Sequence, residues 1–473
     1  MIAPSGASTA SRWLVGVVGA VLLSIVLPAL IHGAPLADDF QICMRPINEG
    51  GYDPYLHAIW RDAGVVRPAR FLELFLISKM CTWAPWWLIM LVPLALKFAV
   101  ALLLYRLLRE LGLRSPWPEI GTAIWLLEPL GTEAALWPAA LHINLGLALA
   151  LGALLLCRKN RLGWAASVTL LACLCVEQVI FAFPLAVWVI CPREHRRRAT
   201  IVVAAVVLAV IAAYAVWHGN NPRQALTLSE RFREVFSDPE WYVGFPIVGL
   251  GLHSGFLGFV WAFPYSLGIV AIGALAGART FRKLLASHTA PPIEKRIAVR
   301  GASTVVALLV LVNLPLITTE VGYSPRTFTP TWLVLAGTLA IAASRVPWRR
   351  VQLLGAMAGT FAAFAVLSLV LSVSVRVHTV AFDRAAARWI ADRTDDGDVV
   401  AVCDVERTVV EPAPSGSFHL HALHHPSQEW IEYYTGRVAK VRRSGEALWG
   451  ARCPDVRGAD IVVSFPELVR EVG

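Results

Sequence analysis

Asp38 and Asp39, in the run Leu36-Ala37-Asp38-Asp39-Phe40, stand just past the first long apolar run of the chain. Carboxylates are costly to hold beside lipid, so acids at the mouth of an apolar helix mark a site of chemistry by default. The chemistry they suit is proton abstraction: either can take the proton of a hydroxyl nucleophile while the other orients it or shares a divalent ion. Arg67 and Arg70, in Val66-Arg67-Pro68-Ala69-Arg70-Phe71, and Arg326, in Ser324-Pro325-Arg326-Thr327, supply positive charge for a departing phosphate. A guanidinium suits that contact because its planar donors reach two phosphate oxygens at once. Plainer readings stand beside these: a solvated loop for the acids, and anchoring or snorkelling toward interfacial lipid for the arginines.

Glu133, Trp137 and His142 step along the outer end of one expected helix and are candidates to line a cavity. Glu177, flanked by Val176 and Val179 in an apolar stretch, is a functional candidate or an outward hinge. His419, His421, His424 and His425 are dense, but their spacing fits no closed zinc pattern and no Cys pair completes it, so no metal is assigned there. No Gly-rich phosphate loop, nucleophile elbow or paired-His zinc motif is present, which removes the usual signals of nucleotide-driven transport and of serine or zinc hydrolysis.

The elements that must position these residues are membrane helices. Of 473 residues, 57% are hydrophobic and 16% charged, with a mean hydropathy of +0.60; soluble domains carry about 25% charged residues. The net charge of +9 comes largely from short basic clusters between apolar runs, as orientation signals do, so no nucleic-acid role follows. Residues 13–31 form a run long enough to span, and their length with Arg12 alone before them favours a retained anchor over a cleaved signal peptide. Residues 71–80 are too short to cross and read as an interfacial helix. Further spans are expected at 86–108, 120–130, 134–157, 164–191, 200–217, up to about 277, 305–317, 331–343 and 351–373.

The clusters Arg106/Arg109/Arg114, Arg158/Lys159/Arg161, Arg193/Arg196/Arg197/Arg198, Arg279/Arg282/Lys283/Lys295/Arg296/Arg300 and Arg345/Arg349/Arg350 should all face the cytoplasm. That requires an even number of crossings between neighbouring clusters, so 164–191 should be two helices hinged at Glu177-Gln178. The expectation is an α-helical polytopic membrane protein of about eleven spans, with a cytoplasmic N-terminus in a plasma (inner) membrane. Residues 1–374 form the membrane domain, with a first outer loop at 34–81, and residues 375–473 form a small extracytoplasmic α/β domain. Its expected pieces are a helix at 382–390 and buried strands at 399–402 and 461–465. An oxidising exterior permits disulfides between Cys403 and Cys453 and between Cys43 and Cys81.

With the acid pair in the first outer loop, the amphipathic segment after it, the span count and the outer tail, the chain resembles the GT-C class of integral membrane glycosyltransferases. The resemblance implies transfer of a sugar from a polyprenyl-phosphate donor to a cell-envelope glycan or lipid acceptor on the non-cytoplasmic face. It gives the catalytic base to Asp38 or Asp39 without choosing between them, and matches Arg67, Arg70 and Arg326 to the donor phosphate by location. A divalent cation, Mg or Mn, stays open, since some members use one and others none. Two other classes share these features: a transporter or flippase of lipid-linked sugars, and a glycan polymerase or ligase relying on outer-loop arginines.

Overall fold

The computed structural model describes residues 9–35, 39, 42–44, 68–128, 132–218, 264–284, 295–318, 325–345, 351–403, 428–435, 440–442, 459–464 and 470–471. Apolar runs become helices because a segment in lipid must satisfy its backbone polar groups internally. Helix α1 is Thr9–His32, α2 is Pro68–Cys81 and α3 is Trp86–Glu110. A ten-residue α4 (Trp117–Leu126), a short α5 (Thr132–Leu136) and a 3-10 turn (Pro138–Ala140) lead into α6 (Leu141–Arg158). Then come α7 (Leu162–Cys175), α8 (Gln178–Ile190) and α9 (Arg193–His218). Beyond them lie α10 (Pro264–Leu284), α11 (Lys295–Thr318), α12 (Pro325–Ala343) and the 41-residue α13 (Val351–Ala391). Among the described residues four helical stretches are long and apolar enough to cross a membrane: Leu14–His32, Trp86–Glu110, Pro138–Arg158 and Arg193–Tyr214.

Several expected boundaries move for identifiable reasons. The expected span at 120–130 is the short α4, about 15 Å long against a bilayer core of about 30 Å; its chain leaves the helix at Leu127, and the next residue, Glu128, is held by an ion pair. Pro138 interrupts the run expected at 134–157, so the long helix starts at Leu141. The 164–191 run is two helices, with Val176 extended between them and Glu177 at the start of the second. Gly146 on α6 seats that hinge, since a Cβ there would lie 2.6 Å from Val176 Cγ2 and 3.0 Å from Cys175 Cβ. The last apolar helix does not stop near 373. It continues to Ala391, about 60 Å in all, and so joins the bundle directly to the segment expected as a tail helix at 382–390.

The clusters Arg106/Arg109/Arg114, Arg158/Lys159/Arg161 and Arg193/Arg196/Arg197/Arg198 fall at one end of the bundle. Arg158, at the end of α6, donates to the Ile190 carbonyl at the end of α8 and to the Glu110 carbonyl at the end of α3. His195 Nε2, in the first turn of α9, lies 3.0 Å from the Arg158 carbonyl, and Arg196 donates to the Cys191 carbonyl at 3.1 Å. Cations here neutralise the partial negative charge and open carbonyls of helix C-termini. Leu14 of α1 and Ala343 of α12 meet Trp117 and Ile120 at the same end.

At the opposite end α1 finishes against α13, where Ala34 packs on Val380 and on Tyr434 of α14 (Gln428–Thr435). After α13 come β1 (Val399–Cys403), β2 (Lys440–Arg442) and β3 (Ile461–Ser464), in the order β2-β1-β3 with both pairs parallel. Strands β1 and β3 occupy the positions expected from their β-branched runs. The most extensive helix contact is α10 on α13, made through a seam of small residues that lets two backbones approach. A Cβ on Gly273 would lie 2.7 Å from both Ala363 Cβ and the Gly359 carbonyl oxygen, and one on Gly277 2.8 Å from Gly359 Cα. Gly268, on the same helix, has nothing within 4 Å. Gly273→Leu is expected to cost about 1–3 kcal/mol or more by overpacking, and Gly268→Leu almost nothing, as measured by thermal unfolding in detergent.

Candidate functional site

Asp39 is fully buried at the end of the bundle away from the basic clusters, in the segment just after α1. Its charge is felt at the far end of the sequence. Tyr433 of α14 senses both Asp39 and Arg384 of α13: burial, the largest effect, pushes its phenol up, Arg384 opposes this, and the Asp39 charge adds to it. The Tyr434 phenol is raised in the same way, first by burial and then by Asp383, with Arg384 opposing through its charge and a side-chain hydrogen bond. The Arg384 guanidinium stands 5.7 Å from the centroid of the Tyr434 ring, a distance at which a cation is attracted to the ring face. Both phenols therefore stay neutral at physiological pH.

Helix α2 forms the neighbouring wall. Cys43, four residues after Asp39, is disulfide-bonded to Cys81 at the last residue of α2, with Cα atoms 5.4 Å apart. The inner face of α2 buries Glu73, Leu74, Ile77 and Ser78, while Leu72 and Leu76 face outward. Glu73 accepts the backbone N–H of His142 at 3.1 Å and sits 3.0 Å from His142 Nδ1. The first turn of α6 thus receives a carboxylate where its open N–H groups favour one. Arg376 of α13, also buried, donates to the Leu136 carbonyl at 3.2 Å, beside Trp137.

Below this layer lies a charged pair inside the bundle. Lys97 Nζ is 2.7 Å from Glu128 Oε2, with side chains 1% and 0% exposed. Lys97 lies roughly 17 Å and 20 Å along α3 from its two ends. The ammonium also stands 5.0 Å from the centroid of the Trp125 ring, whose Nε1 donates to the Lys97 carbonyl at 3.1 Å. Asn144 donates to the Ala134 carbonyl at 2.8 Å and the Pro93 carbonyl at 3.4 Å, tying α6 to α5 and α3.

Of the residues singled out from sequence, Asp39, Trp137 and His142 are buried at this end and Glu177 is half-buried at the α7–α8 hinge. Arg70 falls in the first turn of α2, Glu133 in α5 and Arg326 in the first turn of α12; their side chains lie outside the described residues, as do Asp38, Arg67, Cys453 and the histidines at 419–425. Cys403 ends β1. Glu128 is not the outer-loop acid that its Glu-Pro-Leu-Gly context suggests but one half of the buried pair. Sequence reasoning passed over Glu73, Lys97, Arg376, Asp383 and Arg384. Lys97 was visible as a lone cation in Leu94-Ala95-Leu96-Lys97-Phe98, and Glu73 as an acid within Leu72-Glu73-Leu74. Among the described residues no three His, Cys, Asp or Glu side chains converge as a metal site would need. No protein-family model, curated protein or solved structure matches the chain, so its reading rests on this geometry.

Two tests follow from these contacts. A reductant should lower the unfolding temperature of the wild-type chain, in step with a loss of about 2–4 kcal/mol, and leave a Cys43→Ser/Cys81→Ser variant unmoved. Lys97→Met should destabilise by about 3–5 kcal/mol by stranding a buried carboxylate, while Lys97→Met/Glu128→Leu should regain most of that loss; denaturation of both variants in the same detergent checks this.

Proposed function

We propose that the chain is a membrane glycosyltransferase that moves a sugar from a polyprenyl-phosphate donor to a cell-envelope glycan or lipid acceptor. In this reading the Asp39 end faces the non-cytoplasmic side of a plasma (inner) membrane and the basic end the cytoplasm. The positive-inside tendency supports that orientation, and so does a disulfide at the Asp39 end, because disulfides persist in oxidising compartments.

The observation that carries the reading is the complete burial of Asp39 at this end of the bundle. A sugar transfer has to keep water from competing with the acceptor, and a carboxylate withdrawn from solvent meets that need. The Asp39 carboxylate takes the proton of the acceptor hydroxyl as the new bond forms between that oxygen and the anomeric carbon. The bond from the anomeric carbon to the phosphate oxygen breaks, the electron pair leaves with polyprenyl phosphate, and the anomeric configuration inverts. Asp38 stands next in the chain as orienting partner or alternative base. The charge that develops on the departing phosphate is met by arginines of this end: Arg384 and Arg376 on α13, together with Arg67, Arg70 and Arg326. Trp137, His142, Glu133 and Glu177 belong to the wall that receives the lipid-linked sugar.

A second reading, a transporter of lipid-linked sugars, is favoured by one observation. Helices α4, α7 and α8 are short, and the Lys97–Glu128 pair lies deep inside the bundle, as at the midplane sites of transporters. Membranes carrying the chain, offered a panel of radiolabelled polyprenyl-phosphate sugars, separate the two. Transfer to acceptor is expected, and Asp38→Asn/Asp39→Asn should lower it about 10²- to 10⁴-fold, the usual worth of a general base. Full transfer in that variant sinks the assignment of the acids; label crossing the bilayer without transfer establishes the transporter.

A further inference from the structure

We infer that the basic end carries a binding site for an anionic phospholipid, built by the start of α7 and separate from the acid-bearing end. An open hollow of about 670 Å³ there is lined by Arg161, Leu162, Gly163, Trp164 and Ser167. Its cation is uncommitted. Arg158 and Lys159 both stand 3.7 Å from Glu110, whereas Arg161 is exposed and makes no ion pair among the described residues. Positive charge predominates near it, because the contact of His195 with the Arg158 carbonyl brings the first turns of α9 alongside, with exposed Arg193, Arg197 and Arg198 against the single exposed acid Glu194.

Orientation signals explain the sign of this end but not the shape of the hollow or what runs from it. Trp164 is 71% exposed, and Ser167, Leu170 and Leu171 follow it at helical spacing, all exposed, so that one stripe of α7 climbs from the hollow along the bundle surface. The arrangement is that of an amphiphile. A phosphodiester at the hollow can take two donors from the Arg161 guanidinium, the indole of Trp164 sits at headgroup level as Trp does at membrane interfaces, and an acyl chain lies along Leu170 and Leu171. A free phosphate has no use for the stripe, and a zwitterionic lipid gains less than an anionic one from the surrounding arginines.

The test uses the full chain in phosphatidylcholine vesicles doped with acyl-brominated phosphatidylglycerol or with acyl-brominated phosphatidylcholine. The Trp164 signal is the difference in fluorescence between the wild type and Trp164→Phe. Stronger quenching by the phosphatidylglycerol is expected, with its relative affinity falling about fivefold in Arg161→Gln and largely kept in Arg161→Lys, which also serves as the folding control. Equal quenching by the two lipids, or selectivity unchanged in Arg161→Gln, overturns the site. Relief of quenching by added inorganic phosphate or glycerol phosphate also overturns it, as that outcome assigns the hollow to a soluble anion.

Discussion

The Lys97–Glu128 pair is the constraint around which the first half of the bundle is arranged. An ammonium and a carboxylate taken out of water each cost several kcal/mol, and only close pairing with further polar contacts offsets that. Here the pair is 2.7 Å apart, backed by the Trp125 ring and by an indole hydrogen bond to the Lys97 carbonyl. Holding Glu128 beside the middle of α3 keeps the chain from continuing α4 across the membrane. The segment after α4 then passes through α5 and the Pro138 turn before α6 can begin, and Asn144 fastens that detour to α3. Trp332 of α12 donates to the Ile124 carbonyl at 2.9 Å, so the short helix is also held from its other side.

Above that layer, the Asp39 end is assembled from parts far apart in sequence. The disulfide fixes the segment after Asp39 to the end of α2, and Glu73 fixes α2 to α6. The long α13 then carries Arg376, Asp383 and Arg384 up past the bundle and delivers the last two beside Tyr433 and Tyr434 of α14. A helix of this length is a rigid strut from the basic end to the two tyrosines. Its glycine seam with α10 sets how it stands, because the two backbones meet without intervening side chains. The two ends thus differ in chemistry: cations capping helix C-termini at one, a buried acid with neutral phenols and arginines at the other.

Much of this was legible in sequence where a local rule was enough. Apolar runs placed α1 and α3 to within a few residues and the C-terminal ends, though not the starts, of α6, α9 and α12 to within one; β-branched runs placed β1 and β3, and the spacing of basic clusters required the break at Glu177 that separates α7 from α8. The length of α13 was not legible, since nothing between Val373 and Phe382 breaks a helix and only a change in composition suggested a boundary there. The pairing of Glu128 was not legible either, because Pro129 and Gly131 beside it look like any exposed turn.

The sequence by itself determined that this chain is a set of apolar helices, that short basic clusters lie between many of them, and that carboxylates stand at the exit of the first helix. These are properties of composition and period, which each segment carries alone. Only the tertiary structure decided which charges are partners: Lys97 with Glu128, Glu73 with His142, Arg384 with the two tyrosines, and Cys43 with Cys81. Such pairings join residues tens to hundreds of positions apart, and a buried charge is satisfied by whichever group the packing brings within a few ångströms, a distance that no local pattern encodes.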